Sequence, residues 1–110
     1  MNKKFAISST EKSLKSFIDL RFGKCDNICL YNSGNGEYSF IENPYKNTDY
    51  SGVNLVELLK NKSVSVIITG EVGPLVSELL KKEKLQLVLL NEEKIRIEEI
   101  IARINSKDQD

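Results

Sequence analysis

The run SVSVIITG, Ser63 to Gly70, constrains the fold of this chain more than any other feature. Val64, Val66, Ile67 and Ile68 make it β-branched and apolar enough to be buried on both faces, the mark of a strand inside a parallel sheet. Immediately after it, GPLVSELLKKE changes to a helical pattern. Pro74 suits the first helical position, because its missing N–H would have no partner there and its φ is already set for a helix. LQLVLL, Leu85 to Leu90, then returns as a short apolar strand. A strand, helix and strand in this order call for a right-handed crossover and a layered α/β arrangement.

The remaining elements fit the same plan. KKFAIS, Lys3 to Ser8, is a β-rich run, and the polar stretch Ser9 to Ser16 after it breaks any strand pattern. Cys25 to Asn32 and Glu37 to Glu42 are two extended runs. SGNG, Ser33 to Gly36, joins them with the glycine and asparagine that a hairpin turn requires, so the two strands are antiparallel. Pro44 ends the third strand, and YKNTDYSG leads into a helix carrying Val53, Leu55, Val56, Leu58 and Leu59. Asn91 offers an N-cap for a last helix, with Glu92 and Glu93 in its first turn and Ile97, Ile100, Ile101 and Ile104 on one face. The order is β β β α β α β α, which predicts one domain over residues 1–105 and a disordered tail over 106–110.

Composition removes several classes of function. Sixteen Lys and Arg balance sixteen Asp and Glu, so no basic footprint favours nucleic acid or an anionic membrane. No segment approaches the ~20 apolar residues needed to span a bilayer, and the N-terminal apolar run is too short for a signal peptide. The chain reads as cytoplasmic, with its two cysteines as free thiols. There is no histidine, no convincing nucleophile–base pair and no carboxylate cluster, which argues against an enzyme.

Arg21-Phe22-Gly23, Glu42-Asn43-Pro44 and Gly70-Glu71-Val72-Gly73-Pro74, in this order and element context, resemble the nitrogenase iron-molybdenum cofactor biosynthesis family, which includes NifX, NafY and the C-terminal part of NifB. The resemblance spans roughly Lys3 to Ile104. It implies a three-layer α/β/α ribonuclease H-like fold with a mixed five-stranded sheet, strand order 3-2-1-4-5 and strand 2 antiparallel. It also implies binding or carriage of an iron-molybdenum or other metal–sulfur cluster, exchanged with donor and acceptor proteins. The chain departs from the family in lacking histidine, which excludes imidazole ligation, and in the reduced loop Tyr50 to Asn54. Nuclease chemistry does not follow from the fold name: two-metal hydrolysis needs clustered carboxylates, and the first strand carries none.

In that topology five segments meet at one end of the sheet, where ligands of open α/β sheets usually bind. They supply the candidate cofactor-binding residues Ser8, Ser9, Arg21, Phe22, Gly23, Asn43, Ser51, Gly52, Gly70 and Gly73. Two helix N-termini, at Ser51-Gly52 and Gly73-Pro74, offer free N–H groups and a positive dipole end to an anion, and Arg21 adds a fork of donors. Each feature also has a purely structural reading: glycines that permit strand-to-helix turns, an arginine paired with Asp19 or Glu71, serines that end a strand.

The cysteines separate on distance. In a regular strand, residues four apart share a face but lie about 13 Å apart at ~3.4 Å per residue. That exceeds the ~7 Å Cα limit for a disulfide and the reach of two sulfurs to one zinc at about 2.3 Å. Cys29 reads as a buried small hydrophobe. Cys25, entering its strand beside Arg21 and Lys24, is the candidate metal ligand, with those charges expected to favour its thiolate. Two functions stay open: a non-catalytic cluster-binding or cluster-carrying protein, and a metal-free ligand-binding or protein-interaction module of the same fold.

Overall fold

The computed structural model describes residues 3–108. Its elements follow the chain as β1 Lys4–Ser9, β2 Asn27–Asn32, β3 Tyr38–Glu42, α1 Ser51–Asn61, β4 Val66–Thr69, α2 Pro74–Lys82, β5 Gln86–Leu89 and α3 Ile97–Asp108. They form one mixed five-stranded sheet of order β3-β2-β1-β4-β5. β2 runs antiparallel to both β1 and β3, while β1, β4 and β5 are parallel. This is the architecture the sequence implied.

Alternation along the central strands explains why both sheet faces are dry. Ala6, Ile28, Leu30 and Ile67 face one core with Leu55, Val56, Leu59 and Leu80 of α1 and α2. Phe5, Ile7, Tyr31, Val66 and Ile68 face the other with Ile97, Ile100 and Ile104 of α3. All four residues of β4 are buried, as its β-branched run predicts. Each large side chain enclosed this way contributes on the order of 1.5–3 kcal/mol. The edge strands β3 and β5 are partly exposed.

Three expectations change. The last helix starts at Ile97, not after Asn91. The first amides of α3 are satisfied by a distant segment instead: Ile97 N donates to the Ser16 carbonyl and Glu98 N to that of Leu14, at 2.9 and 3.0 Å. Glu92, expected in the first turn of that helix, instead precedes it and forms a two-pronged pair with Arg103 at 2.8 and 3.1 Å. The tail expected from Ser106 is helical through Asp108, and its last two residues lie outside the described chain. Finally, β2 begins at Asn27, so Cys25 precedes the strand. The face-sharing argument then fails: Cys25 packs in the α1/α2 core and Cys29 in the α3 core.

Candidate functional site

β1, β3, β4 and β5 all end at one edge of the molecule, and the connections there enclose an open cleft of about 520 Å³. It is lined by the segment Arg21–Lys24 ahead of β2, by Glu71–Gly73 and Val76, which start alongside it through the Arg21–Glu71 bridge, and by Ser51 and Gly52 of α1. A second depression, lined by Lys24, Tyr50, Leu75 and Val76, continues it across the two helix starts.

Close backbone approach shapes this cleft. A Cβ on Gly23 would lie 2.6 Å from Gly52 N and 2.9 Å from Gly52 Cα. Those atoms are main chain and cannot swing away, so only glycine lets the Arg21–Lys24 wall rest on the start of α1. Gly52 in turn meets α2: a Cβ there would reach Val76 Cγ2 at 2.6 Å.

The helix starts are open to an anion. α1 begins after Tyr50, which adopts a left-handed φ of 57°, and neither α1 nor α2 has a side-chain cap or an acidic residue in its first turn. Within α1 the first amide to find an acceptor is that of Asn54, bonded to the Tyr50 carbonyl; in α2 it is that of Ser77, bonded to Gly73. The N–H groups of Ser51, Gly52 and Val53, and of Leu75 and Val76, therefore have no acceptor among the described residues. Each terminus carries roughly half a positive charge. Gly73, the residue ahead of α2, has nothing within 4 Å of its would-be Cβ, so its bare backbone leaves that terminus uncovered.

The side chains add a mixed field. Arg21 is largely claimed by the buried Asp19, with Nε and Nη2 each 3.2 Å from a carboxylate oxygen. Lys24 has no carboxylate partner among the described residues; its ammonium donates to the Thr48 carbonyl at 3.3 Å. Glu71, bridged to Arg21 through the backbone, supplies one negative charge.

Of the residues expected at the site, the cleft brings together Arg21, Phe22, Gly23, Ser51, Gly52 and Gly73. Ser8, Ser9, Asn43 and Gly70 lie behind it. Ser8 Oγ bonds the Asp19 carbonyl at 2.5 Å and lies 2.8 Å from Thr69 Oγ1, and Ser9 Oγ donates to Glu11 at 2.6 Å. Asn43 Nδ2 donates to the carbonyls of Gly23 and Cys25 at 3.0 and 2.9 Å, and Oδ1 accepts from Tyr45 N. This buried amide braces the Arg21–Lys24 wall from the inside. Gly70 is pressed against Leu20, whose Cα would be 2.6 Å from an added Cβ.

Cys25 departs most from expectation. It has no exposed surface and does not line the cleft. Burial, reinforced by the negative charge of Asp19 and opposed by a contact from Asn43, pushes its thiol up to about 12. Burial and Asp19, which also occupies the guanidinium, outweigh the nearby positive charges of Arg21 and Lys24. Cys29, also fully buried, is pushed to about 12 by desolvation alone. Among the described residues no group of three His, Cys, Asp or Glu is placed to hold a metal ion. Lys24, Glu71 and Val72 fall within segments expected to converge here without having been singled out, and Val76 lies outside them. A backbone bridge between Arg21 and Glu71, two residues the sequence offered as a side-chain pair, brings two of these neighbourhoods together.

An α/β protein with an anion-receptive cleft at the carboxyl end of its sheet is therefore the class defined by the structure. Residues 1–107 match the family model described as dinitrogenase iron-molybdenum cofactor, and the chain belongs to that family. The fold is shared with the apo form of the orange protein from Desulfovibrio gigas, at a TM-score of 0.86, 17% identity, and coverage of 97% of this chain and 90% of that one. It is shared too with a candidate NifB protein of the DUF35 family from Thermotoga, at a TM-score of 0.79, 24% identity, and 94% and 88% coverage. No curated protein matches the sequence. No helix among the described residues is long and apolar enough to cross a membrane.

Proposed function

We propose that this protein binds and carries an iron-molybdenum-type or other anionic metal–sulfur cluster, without catalysing a reaction on it, as an accessory that receives it from one protein and passes it to another. Family membership supports the cargo class, and the apo designation of the orange protein implies a loaded counterpart for that relative. The observation that carries the reading is the pair of uncapped helix N-termini, with their unpartnered N–H groups, bordering one cleft. Sulfides and oxo groups of an anionic cluster accept such hydrogen bonds, and the two dipole ends favour negative charge.

The donor set fits outer-sphere binding better than covalent ligation. The chain has no histidine, and both thiols are buried and protonated. In this reading the cluster is held by backbone N–H groups and Lys24, with Arg21 and its Asp19 partner fixing one wall. Cys25 holds up the wall from behind and takes no metal. Cargo held without covalent bonds is released without breaking any, which suits transfer between partners.

Anaerobic reconstitution with iron, sulfide and molybdate, followed by gel filtration, tests the proposal. A chromophore should travel with the wild-type protein. Lys24→Glu should weaken its retention about tenfold, a charge reversal at a helix N-terminus. Cys25→Ser should retain the chromophore as long as circular dichroism shows a folded chain. A folded wild type that emerges colourless rejects carriage by this chain and leaves the alternative, a metal-free ligand-binding or protein-interaction module of the same fold.

A further inference from the structure

On the opposite face of the sheet α3 leaves a second cavity, of about 390 Å³, unconnected with the cleft described above. The buried side chains of Phe5, Val66 and Ile68, with half-buried Val88 beside them, form its floor, and Ile100 and Ile104 of α3 form one wall. The cavity exists because two helices cover one face of the sheet and only one covers the other, so the β4–β5 side beside α3 lacks a second layer. Its size falls within the range of small-molecule sites, which are mostly apolar with a few polar groups fixing orientation.

The charged groups here share one sign. Lys3, Arg103 and Lys107 line the cavity, and none of its lining residues is acidic. Arg103 is neutralised by Glu92. Lys3 and Lys107 have no ion pair among the described residues. An apolar trough with two ammonium groups on its border that no described carboxylate pairs is complementary to a molecule with an apolar body and one anionic end.

We propose that this cavity binds a small amphipathic carboxylate, its chain lying on Phe5, Val66, Ile68 and Val88 and its carboxylate reaching Lys3 and Lys107. The neutral, equally apolar alcohol of the same length is the discriminating control. It buries at least as much hydrocarbon but offers the lysines no charge.

Calorimetric titration of the whole chain with octanoate, and separately with octanol, tests this. Octanoate should bind saturably and one to one at or below about 1 mM, within reach of a ligand of some ten non-hydrogen atoms. Octanol should bind at least roughly fivefold more weakly, and the double variant Lys3→Glu/Lys107→Glu should lose about tenfold for octanoate with no change for octanol. Val88→Trp, which fills the trough, should abolish both. The surface double variant leaves the core untouched and keeps the test meaningful if Val88→Trp misfolds. Absence of saturable octanoate binding, equal affinity for acid and alcohol, or an unchanged affinity in the double lysine variant would each overturn the proposal.

Discussion

The cleft at the carboxyl end of the sheet and the trough beneath α3 are built from different materials. The first is largely main chain: Gly23 rests on Gly52, Gly52 on α2, and the groups offered to a ligand are amides. The second is side chain throughout, aliphatic and aromatic below and lysine above. A backbone site keeps its shape when its outward-facing residues change but loses it when a Cβ is inserted. A side-chain site changes character with each substitution, yet the fold around it survives. The two regions are thus expected to respond oppositely to mutation.

The sharpest way to break that contrast is Gly23→Val. The new side chain would meet immovable backbone at 2.6 Å, and relief by backbone shifts should cost about 3 kcal/mol. Urea unfolding should show this loss, while Val88→Trp on the half-open α3 face should cost under about 1 kcal/mol. A Gly23→Val protein as stable as Val88→Trp would mean that the cleft wall is not set by main-chain contact.

Asn43→Ala comes next. It removes the donor to the Gly23 and Cys25 carbonyls and the acceptor for Tyr45 N, with an expected loss of about 2 kcal/mol for buried groups left unsatisfied. Amide hydrogen exchange should accelerate in residues 21–26 and stay unchanged in α3. Uniform acceleration would show that the brace serves the whole fold and not the cleft.

The two thiols compare the regions through pH, one lying behind each. Both are pushed up to about 12 from a reference of 9.0, chiefly by burial. On unfolding they ionise at lower pH, so between about pH 9 and 12 the unfolded state binds fewer protons and stability falls as pH rises. The thiols' contribution is complete below pH 9 and is lost towards pH 12. Alkaline denaturation should therefore be shallower in Cys25→Ser and in Cys29→Ser than in wild type, each relative to its own stability at pH 7. Neither thiol should react with a disulfide reagent at pH 8 without denaturant; rapid native labelling of Cys25 alone would place it on the cleft after all.

The smallest effect concerns Tyr50, 72% exposed and left-handed. Glycine relieves the steric cost of that φ but adds chain entropy to the unfolded state, for a net gain of about 0.5–1 kcal/mol. A raised melting temperature for Tyr50→Gly would confirm that the backbone carries strain at the cleft; a lowered one would show that the ring packs across the groove.

Local signals were read correctly where a residue's own geometry decides the outcome. Pro74 marked the start of α2, Ser51-Gly52 that of α1, and Gly36 the hairpin, where it takes a φ of 76°. They failed where a distant partner outbid the local preference. Asn91 is a sound N-cap by propensity, but backbone carbonyls at Leu14 and Ser16 cap α3 six residues later. Cys25 extends the apolar run of β2 on paper, yet Asn43 holds its carbonyl and that of Gly23, and the chain turns before the strand begins.

The sequence by itself determined the element order, the parallel βαβ half and the antiparallel hairpin, because periodicity, turn residues and crossover handedness act over short range; the end of the sheet where the loops gather followed from the strand order that the family resemblance implied. Only the tertiary structure decided which converging residues line the cleft and which stand behind it, that Asp19 takes the charge of Arg21, that the two cysteines belong to opposite cores, and that α3 leaves a trough beside it. Those outcomes depend on contacts between segments far apart in the chain, where a few tenths of an ångström of backbone approach or one buried amide outweighs any local propensity.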